Sequence, residues 1–347
     1  MKIVEIISED SIFETACKCF CGHKRKRVVS YFMHNWPDEV GKLSKELRDG
    51  TYKERKARIF TITEPKKREI MNIHFRDRVY QRALSNKALY EQTTKAFIND
   101  NFACQTEKGT DAARDRFKEF LQRHYRQNGN SGYVLKIDIK GYYPNMNHEF
   151  AEEMLKKYLE KDAYDATIKI LRGMPGKIGY NPGSQIIQII GIAALDKIDH
   201  FVKEVLRVKY YIRYMDDMIL IHKSKEFLLE SLEKIKGKLH LQKMQENQKK
   251  TKIFDLAKPV KFLGFVYHLT KTGKVYVLAD PKKIKHEKKK ITRMINLVRT
   301  GKLRKYDVDR HFKAYKASVR YGNSHKLLQR LNTWYCAQWE DFENGNH

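Results

Sequence analysis

The chain is 347 residues long and carries 70 Lys and Arg against 42 Asp and Glu, a formal net charge of +28. A net charge of roughly 2–8 suits a small soluble domain, so this excess implies a polyanionic partner, nucleic acid before an anionic membrane surface. A hydrophobic content of 41%, with 12% aromatic residues, excludes a disordered basic tail, and the length predicts two or three compact units at roughly 100–200 residues each.

Residues 1–14 include Glu5, Glu9, Asp10 and Glu14 where a secretory signal would carry a longer apolar run, so export is not expected. The longest apolar segment, 186–195, is interrupted by Gln188 and reaches about half a membrane span. Five cysteines, an odd number, do not read as a disulfide framework, and a reducing cytoplasm fits them.

Ser11 is expected to cap a helix running to Cys21, and Val40, Leu43 and Leu47 fall at helical spacing ahead of Gly50. Cys17, Cys19, Cys21 and His23 crowd too closely to surround one zinc ion, so a helix burying Cys17 and Cys21 on one face is expected instead. Lys24-Arg-Lys-Arg27 reads equally as a solvated run or an RNA contact. Residues 58–63 are rich in β-branched side chains and precede the turn-like Glu64-Pro-Lys-Lys67, which predicts a hairpin. Ala113, Phe117 and Leu121 mark a helix, 133–139 a buried strand, and Met154, Leu155, Tyr158 and Leu159 a further helix. One long apolar helix is expected from Ser184 to Glu204. Residues 210–214 and 218–221 flank Met215-Asp216-Asp217, the pattern of a β-hairpin with acids at its tip. Residues 261–267 read as one more strand.

After Pro281 the chain reads as helical and basic. Fifteen Lys and Arg stand against three acids between 281 and 320, a local excess of +12. Ile284, Ile291, Ile295 and Val298 recur at helical spacing, which predicts one packed face with the lysines outward. No linker and no internal repeat divides the sequence.

Two acidic positions break otherwise apolar strands: Asp138, and the pair Asp216-Asp217. Asp is a common turn residue, so the pair alone reads equally as a turn. If the two strands are neighbours, three carboxylates converge and cannot all ionise without compensation. Hard Mg²⁺ supplies it, and two such ions about 3.5–4 Å apart can clamp an in-line phosphoryl transfer.

Tyr214-Met-Asp-Asp217 resembles the Tyr-x-Asp-Asp box of reverse transcriptases, and Lys136-Ile-Asp-Ile-Lys-Gly-Tyr-Tyr-Pro-Asn-Met-Asn-His148 resembles their preceding acidic motif. Glu64-Pro-Lys-Lys-Arg68 is similar to the basic fingers hairpin, Phe262-Leu-Gly-Phe265 to the primer-grip strand, and Asn247-Gln-Lys-Lys-Thr251 to the segment before it. The five lie in family order and the similarity spans about residues 40–335. The resemblance implies an α+β right-hand polymerase: N-terminal helices and fingers over 1–130, a palm of antiparallel sheet and helices over 131–268, and a basic helical thumb over 269–347. It implies RNA-directed DNA polymerase activity with two Mg²⁺ ions, Mn²⁺ able to substitute. Asp138 and Asp216, with the Ile139 carbonyl, would bind the metals, and Asp217 would support the site. Lys66 and Arg68 would hold the triphosphate, Tyr143 would exclude a ribose 2′-hydroxyl, and Lys250, or its neighbour Lys249, would protonate the leaving pyrophosphate. Phe262, Leu263 and Gly264 would grip the primer. The implied partners are an RNA template, a DNA or RNA primer, deoxynucleoside triphosphates and a small basic accessory protein, with no membrane.

Phe97-Ile-Asn-Asp-Asn-Phe-Ala-Cys-Gln-Thr-Glu-Lys-Gly-Thr110, Asp77-Arg78 and Ile178-Gly-Tyr-Asn-Pro-Gly-Ser-Gln185 are similar to segments of bacterial and phage reverse transcriptases of diversity-generating retroelements. That resemblance implies copying of a structured RNA with substitutions opposite template adenines, Gln185 near the templating pair, and the cytoplasm of a bacterial or phage-infected cell. Four residues stand between Gly179 and Ser184 where that pattern has three, and phage-defence reverse transcriptases share much of the architecture, so a defence enzyme is the alternative. A non-catalytic basic RNA-binding protein that keeps the polymerase fold is the other.

Overall fold

In the computed structural model, residues 2–21, 26–63, 68–181 and 183–343 are described. The chain divides into two compact units. The first takes 1–109, 136–219 and 229–252; the second takes 110–135, 220–228 and 253–347.

The first unit opens with helices Glu9–Phe20, Arg27–His34 and Trp36–Arg48. Ser8, not Ser11, caps the first of them, accepting a hydrogen bond from the Ser11 N–H at 3.3 Å. Ser8 has extended backbone geometry, and Glu9 and Asp10 follow it in the first turn, where negative charge is favoured. Ser11 is buried one turn in, and its hydroxyl donates to the Ile6 carbonyl at 2.8 Å. The buried stripe of this helix is Ile12, Thr15, Ala16 and Cys19. That spacing selects Cys19 as the core cysteine, leaving Cys17 half-buried and Cys21 exposed, contrary to the expected pair. His23, Lys24 and Arg25 lie outside the described residues.

Strands β1 (Arg58–Ile62) and β2 (Arg68–Asn72) pair antiparallel, Arg58 opposite Asn72 and Ile62 opposite Arg68. The expected hairpin is therefore present. Its tip, with Lys66, lies outside the described residues, and only the backbone of Arg68 is described. Further strands are β3 (Tyr133–Ile137), β4 (Tyr210–Tyr214), β5 (Asp217–His222) and β6 (Lys252–Asp255), in the sheet order β4-β5-β3-β6. The expected strands match β3, β4 and β5 closely.

The helix expected from 184 to 204 is broken. Helix Gln185–Ala193 buries isoleucines on every side, the pattern of a core helix. At Leu195 the backbone leaves helical geometry, φ −102° and ψ 3°, before the short helix Asp196–His200 and a π-helical turn Phe201–Val205. The break turns Asp196 and Asp199 inward to polar partners that a continued apolar helix could not serve.

In the second unit, helix Thr110–Asn128 buries Ala113, Phe117 and Leu121, as their spacing predicts. Strands β7 (Val260–Phe262), β8 (Phe265–Leu269) and β9 (Val275–Ala279) form an antiparallel sheet in that order. The single strand expected over 261–267 is instead two strands and a tight turn. Phe262 pairs with Phe265, and Leu263 and Gly264 between them both have positive φ, +42° and +88°, the signature of a mirror-image hairpin turn. Phe117 packs against Phe262 and Tyr267, ring centroids 5.1 and 4.8 Å away. Helices Pro281–Arg299, Lys305–Ser318 and His325–Glu343 follow. In the first, Ile291 and Ile295 are buried while Lys282, Lys285, Lys289 and Arg293 are exposed. At 100° per residue those four basic side chains lie on the opposite side of the helix. No described helix is long and apolar enough to cross a membrane.

Candidate active site

The β4–β5 turn holds its acids by an internal clamp. Met215 has φ +54°, an uncommon backbone conformation for a side chain of its size. Asp216 follows it, and Asp217 opens β5. Arg213 lies wholly buried below, and its Nη1 donates to the Met215 carbonyl at 3.0 Å. Nε reaches the two Asp199 oxygens at 2.7 and 2.9 Å, and Nη2 reaches Asp199 Oδ2 at 2.6 Å and the Ile192 carbonyl at 2.8 Å. The Tyr211 hydroxyl donates to Asp199 Oδ1 at 2.6 Å. A dry, paired guanidinium and carboxylate cost little net, but removing one partner strands the other. The turn, β4 and the end of helix Gln185–Ala193 are thus tied at one side chain.

Asp138 follows β3. Its carbonyl accepts from the Asn247 N–H at 2.7 Å, and the Lys140 N–H donates to the Gln245 carbonyl at 2.9 Å. Ile139, opposite Glu246, makes neither of these bonds, so its peptide groups face the other side of the strand. The Asp138 carboxylate receives Lys250 Nζ at 2.8 and 3.0 Å and Asn247 Nδ2 at 3.1 Å. Of the two lysines left open by the sequence, Lys250 is the one on Asp138. Lys136 Nζ lies 3.2 Å from Asp217.

Burial raises the Asp216 pKa above the usual carboxylate range, repulsion from Asp217 and Asp138 raises it further, and Lys250 opposes them. The hydrogen bond to Asp138, in turn, pushes the Lys250 pKa up. The three acids therefore form one electrostatic cluster. Among the described residues, no three His, Cys, Asp or Glu groups are gathered closely enough to hold an ion by themselves, and the neutralising charge comes from Lys250 and Lys136. The chemistry of the set still fits a hard divalent cation: its donors are all oxygen, and its buried member resists ionisation because burial and the two neighbouring carboxylates disfavour its charge.

Beside Asp216 opens a cleft of about 1600 Å³, lined among others by Tyr142, Tyr143, Tyr180 and Gln81, with the basic residues Arg48, Lys53, Arg55, Lys56 and Lys169 set against the acids Glu54, Glu69 and Asp165. The Tyr143 hydroxyl faces Met215 Sδ at 3.9 Å, and burial pushes its pKa up. Ser184 caps helix Gln185–Ala193 by accepting the Ile186 N–H at 3.1 Å and donates to Gln81 Oε1 at 2.5 Å. Gln185 donates to Asn86 Oδ1 at 2.7 Å. Asp138, Ile139, Tyr143, Gln185, Asp216, Asp217 and Lys250 all belong to the first unit. Phe262, Leu263 and Gly264 belong to the second, where Phe262 is a core side chain. There Arg114 donates to the Leu263 carbonyl through Nε at 3.2 Å and Nη2 at 2.7 Å, its guanidinium stacked 4.5 Å over Phe265.

Sequence reasoning missed Arg213, Asp199, Lys136 and Arg114. Arg213 did leave a signal, a lone charge amid Tyr210-Tyr-Ile-Arg-Tyr214, because a charge in a buried strand needs a partner. Nothing in the spacing pointed to Asp199.

A sheet carrying acids at a tight hairpin and at the end of a neighbouring strand, beside a wide cleft, is the arrangement of a nucleotidyl-transferring polymerase. Residues 56–267 match the reverse transcriptase (RNA-dependent DNA polymerase) family. The match covers more than half of the chain, and the protein belongs to this family. No curated protein matches it. Among solved structures it is similar to telomerase from Candida albicans in complex with a TWJ fragment of telomeric RNA, with a TM-score of 0.50 and 11% identity over 65% of this chain and 45% of that one. It is also similar to apo telomerase from Candida tropicalis truncated from its C-terminal domain, with a TM-score of 0.47 and 15% identity over 65% of this chain and 55% of that one. The chain spans about half the length of these structures, and at 11% identity the likeness to the first is one of fold alone.

Proposed function

We propose that the chain synthesises DNA on an RNA template from deoxynucleoside triphosphates. The observation that carries this reading is the placement of Asp138 just after β3 and of Asp216 and Asp217 at the head of the neighbouring β5, within the residues that match the reverse transcriptase family. Asp138 and Asp216, with the Ile139 carbonyl, would hold two Mg²⁺ ions, and Asp217 would support them. When bound, the ions would supply charge neutralisation at the reacting oxygens. Lys250 acts as the counter-charge of Asp138 and as the proton donor to the departing pyrophosphate. Lys66 and Arg68 hold the triphosphate, Tyr143 excludes the ribose 2′-hydroxyl, and Phe262, Leu263 and Gly264 grip the primer. In this reading residues 1–130 serve as fingers, 131–268 as palm and 269–347 as thumb.

The finer role is cDNA synthesis for a diversity-generating retroelement, with a structured RNA and a small basic accessory protein as partners. The Ser184-Gln185 pair at the head of helix Gln185–Ala193 supports it; phage defence is the second reading. Primer extension on RNA tests both levels. Activity should require Mg²⁺ and disappear with chelator and in Asp216→Asn, and an Asp216→Asn protein that extends as the parent does overturns the metal-site reading. Substitutions concentrated opposite template adenines support the retroelement role; uniformly accurate products favour defence.

A further inference from the structure

Between Ile186 and Ala193 the core helix is aliphatic apart from Gln188 and Gly191. A glycine inside a helix is costly, because it holds more backbone freedom when unfolded and packs no side chain. Its neighbours are isoleucines, so hydrophobic burial alone would have been served better by any aliphatic residue. The cost therefore calls for a reason at this one position.

The reason is the close approach of two tyrosines. A Cβ at Gly191 would stand 2.5 Å from the Tyr143 hydroxyl oxygen and 2.9 Å from its Cε1 and Cζ atoms. The Tyr143 ring thus occupies the space a side chain at 191 would need. The neighbouring Tyr142, fully within the core, donates its hydroxyl to the Gly191 carbonyl. The Tyr143 hydroxyl itself meets Met215 Sδ at 3.9 Å, next to Asp216. Tyr143 lines the cleft and Gly191 does not, so the glycine backs the ring from the core.

We propose that Gly191 is a specificity-determining position that seats the Tyr143 ring and thereby sets the depth of the sugar site. This rests on the reading of Tyr143 as the residue against the nucleotide sugar. A methyl group at 191 must push the ring by about 0.6 Å, since carbon atoms pack no closer than about 3.5 Å without cost and the nearest ring carbons would lie at 2.9 Å. The push comes from the core side, so the ring moves into the cleft and narrows it.

The test is steady-state primer extension with deoxy- and ribonucleoside triphosphates on the full chain carrying Gly191→Ala, Tyr143→Ala or both. Gly191→Ala should raise KM for deoxynucleotides by ten- to a hundredfold, the range overpacking commonly costs, with kcat within about threefold. Tyr143→Ala should instead relax deoxy-over-ribo selectivity. In the double variant the KM penalty of Gly191→Ala should vanish, because no ring is left to displace. Parent-like KM in Gly191→Ala, or a penalty that persists without the ring, overturns the seat. Unchanged selectivity in Tyr143→Ala overturns the sugar-gate reading instead, while the double variant still reports the seat. If Gly191→Ala does not fold, thermal unfolding of the double variant decides: recovery supports the clash with Tyr143, and failure rejects it.

Discussion

A carboxylate taken out of water needs a hydrogen bond on each oxygen, and Asp196 has one. The Tyr158 hydroxyl donates to Oδ2 at 2.7 Å, while Oδ1 is buried with no hydrogen bond among the described residues and has His200 Nε2 3.6 Å away as a charge partner when that ring is protonated. Burial pushes its pKa up, and Asp199 adds repulsion. The folded protein therefore binds this proton more tightly than the unfolded chain. The stability so gained is full below the unfolded carboxylate pKa and is lost as pH rises through the raised folded value. Asp196→Asn, which keeps an acceptor for Tyr158 and cannot ionise, is expected to be more stable than the parent at pH 8 and close to it at pH 4. Chemical denaturation of both proteins at the two pH values checks this, and a variant less stable than the parent at pH 8 would refute it. The same rule explains which site residues were legible. Asp138, Asp216 and Asp217 declared themselves because charge amid strand-forming residues is expensive without a purpose. Asp199 sits in a charged stretch, Asp196-Lys-Ile-Asp-His200, that looks like solvated helix surface, and only the fold reveals that it faces Arg213.

The β7–β8 hairpin shows why one element was misread. Lys261-Phe-Leu-Gly-Phe-Val-Tyr267 is a continuous run of strand formers, and leucine does not announce a turn. The turn is imposed from outside, by Arg114 on the Leu263 carbonyl and by the pairing of Val260 with Tyr267. The break in the helix after Leu195 was hidden for the same reason, since its inward carboxylates answer to partners distant in sequence. Elements whose pattern lies within their own span, such as helix Thr110–Asn128 or β4 and β5, were readable. At Gly264, φ +88°, an added Cβ would meet only the side-chain end of Lys283, Nζ at 3.0 Å. The cost of Gly264→Ala is therefore conformational, about 1–2 kcal/mol for an L-residue held in the left-handed region. Amide hydrogen exchange should become faster across β7 and β8 by roughly the corresponding five- to thirtyfold, and unchanged protection there would show that the turn tolerates a side chain.

The +28 charge is not evenly held. The second unit carries 28 Lys and Arg against 12 acids, +16 on 130 residues, and the first unit carries the other +12 on 217 residues. Three quarters of the second unit's excess falls between 281 and 320. Composition left open whether those lysines were solubilising or aimed. Helix Pro281–Arg299 separates its faces cleanly, with Ile291 and Ile295 inside and Lys282, Lys285, Lys289 and Arg293 in water on the far side. A stripe of this kind matches a phosphate backbone, whose neutralisation releases counterions and makes binding fall with salt by about 0.9 in log–log slope per phosphate contact. Replacing the four by Gln is therefore expected to weaken duplex binding alike on unrelated sequences and to flatten the slope by about 3–4 between 50 and 200 mM salt, if each contacts one phosphate. The core isoleucines are untouched, so the variant keeps its helix. A slope equal to the parent's would move the nucleic-acid surface away from this helix and leave its charge to solubility.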